Sequence, residues 1–196
     1  RSRSDRGCES VIIALCGVSR AVKNTVADLI SDVSLAFADP LKDICEDVFN
    51  FSAAQVRGAL KDVPDPRYVR ADGVQLTPRY AMQTLGTYWG RQCCPDIWAA
   101  FTIRRAIEIE RSRRAYGLGD IVLITDCRFL NEARLVREAG GQLWHVVRPG
   151  AGLSGDAGLH PSETEHVTAA FQALVTRRIN NDGTIDDLRR VLKDEK

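Results

Sequence analysis

The residues best suited to chemistry follow an apolar run near the start of the sequence. The run, Val11–Cys16, leads into Gly17 and, after a short loop, reaches Lys23. This spacing approximates the pattern G-x-x-x-x-G-K-[ST], in which backbone amides and a lysine bind phosphate groups. A helix N-terminus attracts anions, and the lysine adds a mobile positive charge. The sequence therefore predicts a phosphate-binding loop at residues 17–25.

The predicted loop departs from the pattern at two positions. Val22 stands where the pattern has glycine, and a β-branched residue tolerates fewer backbone conformations and crowds a phosphate. Asn24 stands where the pattern has a hydroxyl, although its amide oxygen suits magnesium or its waters, and Thr25 follows with a hydroxyl. The structural alternative is a strand, a turn and a helix with a solvent-exposed Lys23.

A second group of candidates follows the most apolar run of the chain. Asp126 comes at the end of residues 121–126, where a carboxylate can orient magnesium-bound water, and Arg128 can grip a phosphate with its planar fork. An Asp–Arg pair that only fixes a turn is the alternative. Arg148 follows another apolar run, and residues 149–163 are predicted to form a small lid that brings charge to the reacting group.

A third group lies on a helix that begins after Thr77 and Pro78. Arg79, Gln83, Thr87 and Arg91 recur every four residues, which predicts a stripe along one helical face, and Trp89 adds aromatic surface. Two guanidiniums, an amide and a hydroxyl suit a monophosphate and a base edge, whereas a solvated face is the alternative. Earlier in the chain, Asp39 and Lys42 offer a carboxylate and a cation, or simply the entry to a helix.

Composition limits the classes of function. The chain has 196 residues, of which 44% are hydrophobic, and a formal net charge of +1. This length suits one domain over residues 10–196 after a flexible tail at residues 1–9. A nucleic-acid partner is not favoured, because such proteins usually carry a basic excess. The six cysteines lack a C-x-x-C pair and therefore favour neither a metal site nor disulfides. With no signal peptide and no membrane-spanning apolar run, the expected location is the cytoplasm.

The elements that must position these residues alternate along the chain. Apolar runs predict strands at residues 11–16, 34–38, 121–126, 142–147 and 175–180. Helical periodicity predicts helices at residues 25–30, 41–49, 96–114, 131–139, 163–173 and 186–193, with a loop at residues 62–73. Strands separated by helices imply a parallel five-stranded sheet in a three-layer α/β fold. Ligands of such sheets collect at the carboxyl ends of the strands, where most of these polar residues fall.

The ordered set of motifs resembles the bacteriophage deoxynucleoside monophosphate kinase family. The resemblance spans nearly the whole chain and rests on the segments GVSRAVKNTVAD, FADPLKD, TPRYAMQTLGTYWGR, ITDCRFLNEA, VVRPG, HPSE and INNDGTIDDL. It implies a P-loop NTPase fold like that of nucleoside monophosphate kinases. It also implies transfer of the γ-phosphoryl group of ATP, with Mg2+, to a deoxynucleoside monophosphate (dNMP), and it suggests a homodimer.

The residue patterns and the resemblance together assign expected roles to individual positions. The ATP side comprises Gly17, Val18, Arg20, Val22, Lys23, Asn24, Thr25, Asn181 and Asp182, the last two near the adenine. The acceptor side comprises Asp39, Lys42, Arg79, Gln83, Thr87, Trp89 and Arg91. Magnesium would be held by Asn24, Thr25 and Asp126, and the transferring group would be served by Lys23, Asp126, Arg128 and Arg148.

The family usually has Gly-Lys-Asp-Thr where this chain has Val22-Lys23-Asn24-Thr25. Two alternatives to an active dNMP kinase therefore stay open. One is a degenerate P-loop pseudokinase that binds a nucleotide and acts through a protein partner. The other is a kinase acting on a modified base in DNA.

Overall fold

The computed structural model describes residues 11–19, 21–118, 121–152 and 164–193. Within these residues five parallel strands form one sheet with the order β2-β3-β1-β4-β5. The strands are β1 (Val11–Cys16), β2 (Ser34–Leu35), β3 (Ile121–Ile124), β4 (Gln142–Val147) and β5 (Arg177–Asn180). The predicted five-stranded parallel α/β sheet is thus confirmed.

The helices follow the strands in the predicted alternation. They are α1 (Lys23–Ile30), α2 (Asp39–Phe49), α3 (Ala53–Val56), α4 (Pro78–Gln83), α5 (Ile97–Ala115), α6 (Leu130–Glu138), α7 (Ala169–Gln172) and α8 (Ile185–Lys193). Two 3-10 helices cover Ala59–Asp62 and Glu165–Val167, and a π-helix covers Thr84–Arg91.

The chain divides into two units, one made of Arg1–Ala36 with Thr102–Lys196 and the other of Phe37–Phe101. Each unit has its own buried apolar cluster. The single domain predicted over residues 10–196 stays a prediction.

The first unit contains the sheet, and β1 lies at its centre. Ala14 pairs with Ile124 on one side and with Leu143 on the other. Strands enclosed on both faces are apolar at successive positions, which is why the runs in β1 and β3 are buried almost throughout. Val26 of α1 and Leu188 of α8 join the cluster against the sheet.

The second unit has a core of aromatic and aliphatic side chains. Phe49 stacks on Phe51 with ring centroids 5.1 Å apart, and the Tyr68 hydroxyl donates to the Phe49 carbonyl at 2.8 Å. The buried Asp65 carboxylate accepts from Arg67 and from the Gln55 amide. These bonds fix the connection between the 3-10 helix and α4, which includes the predicted loop at residues 62–73.

Several predicted boundaries were wrong for local reasons. The strand predicted at residues 34–38 ends at Leu35, because Asp39 and Pro40 already form the first turn of α2, where proline is tolerated. The strand predicted at residues 121–126 ends at Ile124. The described part of the helix predicted at residues 163–173 is two short pieces, because extended Thr168 interrupts it and caps α7.

The thiols of Cys16, Cys45, Cys93, Cys94 and Cys127 are free. In the part of the chain that the structure describes, no helix has both the length and the apolar character needed to cross a membrane.

Candidate functional site

Gly17 begins the loop that follows β1, and its position excludes a side chain. Its φ angle is 133°, and a Cβ atom there would lie 2.3 Å from the Val146 carbonyl oxygen. The backbone at Gly17 therefore lies closer to β4 than a residue with a side chain would allow.

Val22 adopts the backbone conformation that the pattern reserves for glycine. Its φ and ψ angles are 64° and 37°, in the left-handed region, and it is the N-cap residue of α1. A left-handed conformation costs an L-residue roughly 1–2 kcal/mol. Val22 thus forms a left-handed turn before Lys23 despite its β-branched side chain.

Lys23 folds back over this loop. Its Nζ atom donates to the Gly17 carbonyl at 2.8 Å and to the Val18 carbonyl at 2.9 Å. The side chain is half-buried, so its ammonium group is held beside the loop at the start of α1. A solvent-exposed lysine, the structural alternative, is not what the chain forms.

Asn181, immediately after β5, is tied to the same loop. Its Nδ2 donates to the Ala21 carbonyl at 3.4 Å, and its backbone N–H donates to the Val147 carbonyl at 2.8 Å. The residue is almost fully buried. The adjacent Asp182 is exposed.

Two titratable side chains lie under the loop in uncharged form. Burial raises the pKa of Cys16 to about 12, although the nearby Lys23 charge opposes this rise. Burial, and then the charges of Arg178 and Lys23, lower the pKa of His145. His145 is therefore neutral at physiological pH, and its Nδ1 lies 3.2 Å from the Gln172 amide nitrogen.

Asp126 and Arg128 follow β3 in a segment fixed by Glu132. The Glu132 carboxylate is buried and accepts from the backbone N–H groups of Arg128 at 2.8 Å and Phe129 at 3.1 Å. Asp126 and Arg128 are both half-buried, and Asp126 lies two residues beyond the strand rather than at its end. Glu132 was not among the site residues predicted from the sequence, although a glutamate in the first turn of a helix is a recognisable capping signal.

The remaining predicted residues of the first unit differ in their exposure to solvent. Arg148 is exposed in the turn after β4, Asn24 is exposed on α1, and Thr25 is half-buried. Arg20 and most of the predicted lid, residues 153–163, lie outside the described residues.

The acceptor helix of the second unit begins as predicted. The Thr77 hydroxyl accepts from the Tyr80 N–H at 3.2 Å, and Pro78 occupies the first turn. Beyond Gln83 the chain continues as a π-helix rather than an α-helix. A π-helix closes its hydrogen bonds over five residues instead of four, so residues four apart still lie near one helical face. The predicted stripe of Arg79, Gln83, Thr87 and Arg91 therefore stays a prediction.

Two glycines explain why the wider helix forms there. The buried Trp98 indole donates to the Gly86 carbonyl at 3.0 Å. A Cβ atom at Gly90 would lie 2.3 Å from the same indole, so the ring occupies the space left by the missing side chain. Trp89 remains exposed on this helix, its ring centroid 6.5 Å from that of Trp98.

The charged residues of the second unit form paired contacts. Lys42 binds Asp39 at 2.8 Å, and Arg79 binds both oxygens of Asp62 at 2.5 and 2.9 Å. Arg57 reaches Asp39 at 3.0 Å and also contacts Asp43 and Glu46. Asp39 and Lys42 thus belong to one charged network with Arg57, and Arg79 belongs to a separate pair with Asp62.

A metal centre made by the protein alone is not present among the described residues, where no group of three histidine, cysteine or acidic side chains could hold an ion. Mg2+ is usually bound by one or two protein groups together with substrate phosphates. Asn24, Thr25 and Asp126 offer an amide, a hydroxyl and a carboxylate, which fits that requirement.

Comparison with known proteins assigns the chain to a family. A protein of Acanthamoeba polyphaga mimivirus named "Putative deoxynucleotide monophosphate kinase" is 34% identical over 167 residues, which cover 79% of this chain and 81% of the relative. The chain belongs to the deoxynucleotide monophosphate kinase family. This confirms the kinase family that the motifs predicted, while the bacteriophage origin stays a prediction.

Two other comparisons complete the findings on this family member. A solved structure, TT1252 from Thermus thermophilus, covers 94% of the chain and 95% of its own, with a TM-score of 0.49 and 20% identity. No family model matches the sequence.

For a member of the deoxynucleotide monophosphate kinase family, the predicted residues fall into two sets. The loop residues 17–19 and 21–25, together with Asn181, lie at one place in the first unit. Asp39, Lys42, Arg79 and Gln83 lie on helices of the second unit. Lys61 of the second unit escaped the sequence analysis, because only the folded chain brings it near Lys42 and Arg79.

Proposed function

We propose that the chain transfers the γ-phosphoryl group of ATP to a dNMP, giving ADP and the deoxynucleoside diphosphate. The observation that carries the proposal is the position of the Lys23 ammonium group, 2.8 and 2.9 Å from two carbonyls of the loop that precedes α1. A lysine at that place can neutralise the phosphates of a bound nucleotide, and family membership supports a kinase role.

The reaction forms a bond from phosphorus to an oxygen of the acceptor phosphate and breaks the bond to the bridging oxygen of ADP. Such a transfer depends on positioning and on neutralising charge. Lys23 and the loop amides would hold the transferring phosphate, while Arg128 and Arg148 would compensate the developing negative charge. Because the acceptor phosphate is already an anion, no general base is required.

Mg2+ would neutralise the phosphate oxygens of ATP when it is bound. Asn24, Thr25 and Asp126 would hold it or its waters. Glu132 would support this arrangement by fixing the backbone that carries Arg128.

A coupled assay of ADP release, with ATP, Mg2+ and each common dNMP in turn, tests the proposal. Turnover is expected with at least one dNMP, and Lys23→Met is expected to abolish it, because methionine keeps the length but not the charge. Lys193→Met, at an exposed position of α8, is the matched control and should retain turnover.

Absence of turnover by a folded, Mg2+-supplied sample with every dNMP would contradict the proposal. Calorimetry that then detects ATP binding would favour the pseudokinase. Phosphate transfer to DNA carrying a modified base, without transfer to free nucleotides, would favour the kinase that acts on a modified base in DNA. The left-handed conformation of Val22 favours the active kinase, because glycine, the residue that the pattern has at this position, adopts that conformation readily.

A homodimer and a cytoplasmic location belong to the same proposal. Both are supported by the resemblance of the motifs to the kinase family, and the free thiols of Cys93 and Cys94 suit a reducing compartment. Light scattering on the purified chain would test the dimer, since a monomer at all accessible concentrations would contradict it.

A further inference from the structure

Lys61 is a half-buried cation in the second unit. It lies on the 3-10 helix Ala59–Asp62. Among the described residues, its Nζ atom has no hydrogen-bond or ion-pair partner. Its sequence neighbour Asp62 is already engaged by Arg79 at 2.5 and 2.9 Å. An ammonium group without a bond to the protein is available to an anion from solution.

Two other cations lie on elements that pack near the 3-10 helix of Lys61. Helix α4, which carries Arg79, packs against both the 3-10 helix and α2, which carries Lys42. Burial lowers the pKa of Lys61, and the charges of Lys42 and Arg79 lower it further, while Asp62 opposes them. The three cations are thus near enough to repel one another.

The carboxylates nearby bind the other cations and not Lys61. Asp62 binds Arg79, and Asp39 is shared between Lys42 at 2.8 Å and Arg57 at 3.0 Å. These contacts hold Lys42 and Arg79 in place, while Lys61 makes no hydrogen bond or ion pair among the described residues. A doubly charged, compact anion with several acceptor oxygens fits three converging donors best.

We propose that Lys61, together with Lys42 and Arg79, binds the phosphate monoester of the acceptor nucleotide. The proposal rests on the proposed function, because that reaction makes a dNMP the acceptor. Within the cluster, Lys61 contributes the charge that distinguishes a nucleotide from a nucleoside, and Asp62 positions the Arg79 guanidinium.

Kinetics of Lys61→Gln test this role. The KM for the dNMP is expected to rise at least about tenfold, since a hydrogen bond to a charged group contributes roughly 1.5–3 kcal/mol. The KM for ATP should stay within about twofold. Lys193→Gln removes the same charge from an exposed position and should change neither value.

Calorimetry separates the phosphate from the rest of the ligand. The wild-type chain should bind a dNMP and, more weakly, inorganic phosphate, whereas Lys61→Gln should lose most of both affinities. The corresponding deoxynucleoside, which lacks the phosphate, should bind the wild type and the variant equally.

Stability distinguishes a binding role from a structural one. Because the folded state disfavours the charged form of Lys61, neutral glutamine should leave the thermal midpoint unchanged or raise it. Phosphate should raise the midpoint of the wild type but not that of Lys61→Gln. A structural lysine would give the opposite result, a lower midpoint without ligand.

The affinity should also depend on pH in a defined direction. As pH rises through the lowered pKa of Lys61, below the ordinary 10.5 of lysine, the ammonium loses its proton and dNMP affinity should fall. Lys61→Arg should bind the dNMP and should remove this pH dependence, because arginine stays protonated.

Equal dNMP affinity and equal dNMP KM in the wild type and Lys61→Gln would overturn the inference and leave the kinase proposal standing. Conversely, dNMP binding that depends on Lys61 in a chain without turnover would overturn the kinase proposal and leave the phosphate site standing.

Discussion

At the scale of single residues, Val22 is the position that decides how the phosphate loop is understood. From the sequence it is a defect, because valine replaces glycine. In the fold its φ angle of 64° places a β-branched residue in the left-handed region, which few such residues adopt. The strain is held by neighbouring contacts: Lys23 bonds to the carbonyls of Gly17 and Val18, and Asn181 bonds to Ala21. Val22 therefore holds a left-handed turn at a cost in stability.

Because of this strain, glycine should give a more stable protein than alanine at position 22, the reverse of their usual order in a helix. Val22→Gly should be more stable than Val22→Ala by about 1 kcal/mol, because both lose the side chain but only glycine is unstrained at this φ angle. At exposed Asp28, in the middle of α1, the order should be normal, with Asp28→Ala more stable than Asp28→Gly by about 1 kcal/mol. Urea denaturation of the four variants measures both differences. The same order at both positions would show that Val22 is not strained.

At the scale of elements, the sequence predicted what depends on local pattern. The runs in β1 and β4 gave the correct strand bounds, because buried parallel strands are apolar at successive positions. The cap at Thr77 was correct because a hydroxyl before proline is a local signal. The π-helix at Thr84–Arg91 was missed, since it depends on how Trp98, from a later helix, packs against Gly86 and Gly90. Spacing alone cannot reveal such a contact.

The same contact predicts the effect of adding one methyl group. Gly90→Ala should destabilise the chain by about 1–3 kcal/mol, the usual cost of overpacking. In a Trp98→Phe background the added cost should be smaller, because phenylalanine lacks the indole atoms that a Cβ atom at position 90 would meet. Thr87→Ala, at an exposed position of the same helix, is the control and should have little effect. Denaturant unfolding of the double-mutant cycle gives the coupling energy, and additive effects would rule out the contact.

At the scale of the whole molecule, the residues predicted for the two substrates fall in different units. The ATP-side loop and Asn181 belong to the unit that contains the sheet, whereas Arg79 and Gln83 belong to the helical unit. The motifs did not predict this partition, because a sequence shows the order of segments and not the contacts that group them. The loop was found from its spacing and Lys61 required the fold, whereas Glu132 has a local capping signal that the motifs alone did not single out.

This partition predicts that substitutions in each unit affect one substrate. Asn181→Ala removes the bond to the Ala21 carbonyl, so the KM for ATP should rise several-fold while that for the dNMP stays constant. Gln83→Ala, on the acceptor helix, should raise the KM for the dNMP and leave that for ATP unchanged. Initial rates measured over a grid of both substrate concentrations separate the two constants. If either variant raised both constants equally, the assignment of one substrate to each unit would be wrong, because loss of an independent binding contact acts only on the ligand that it touches.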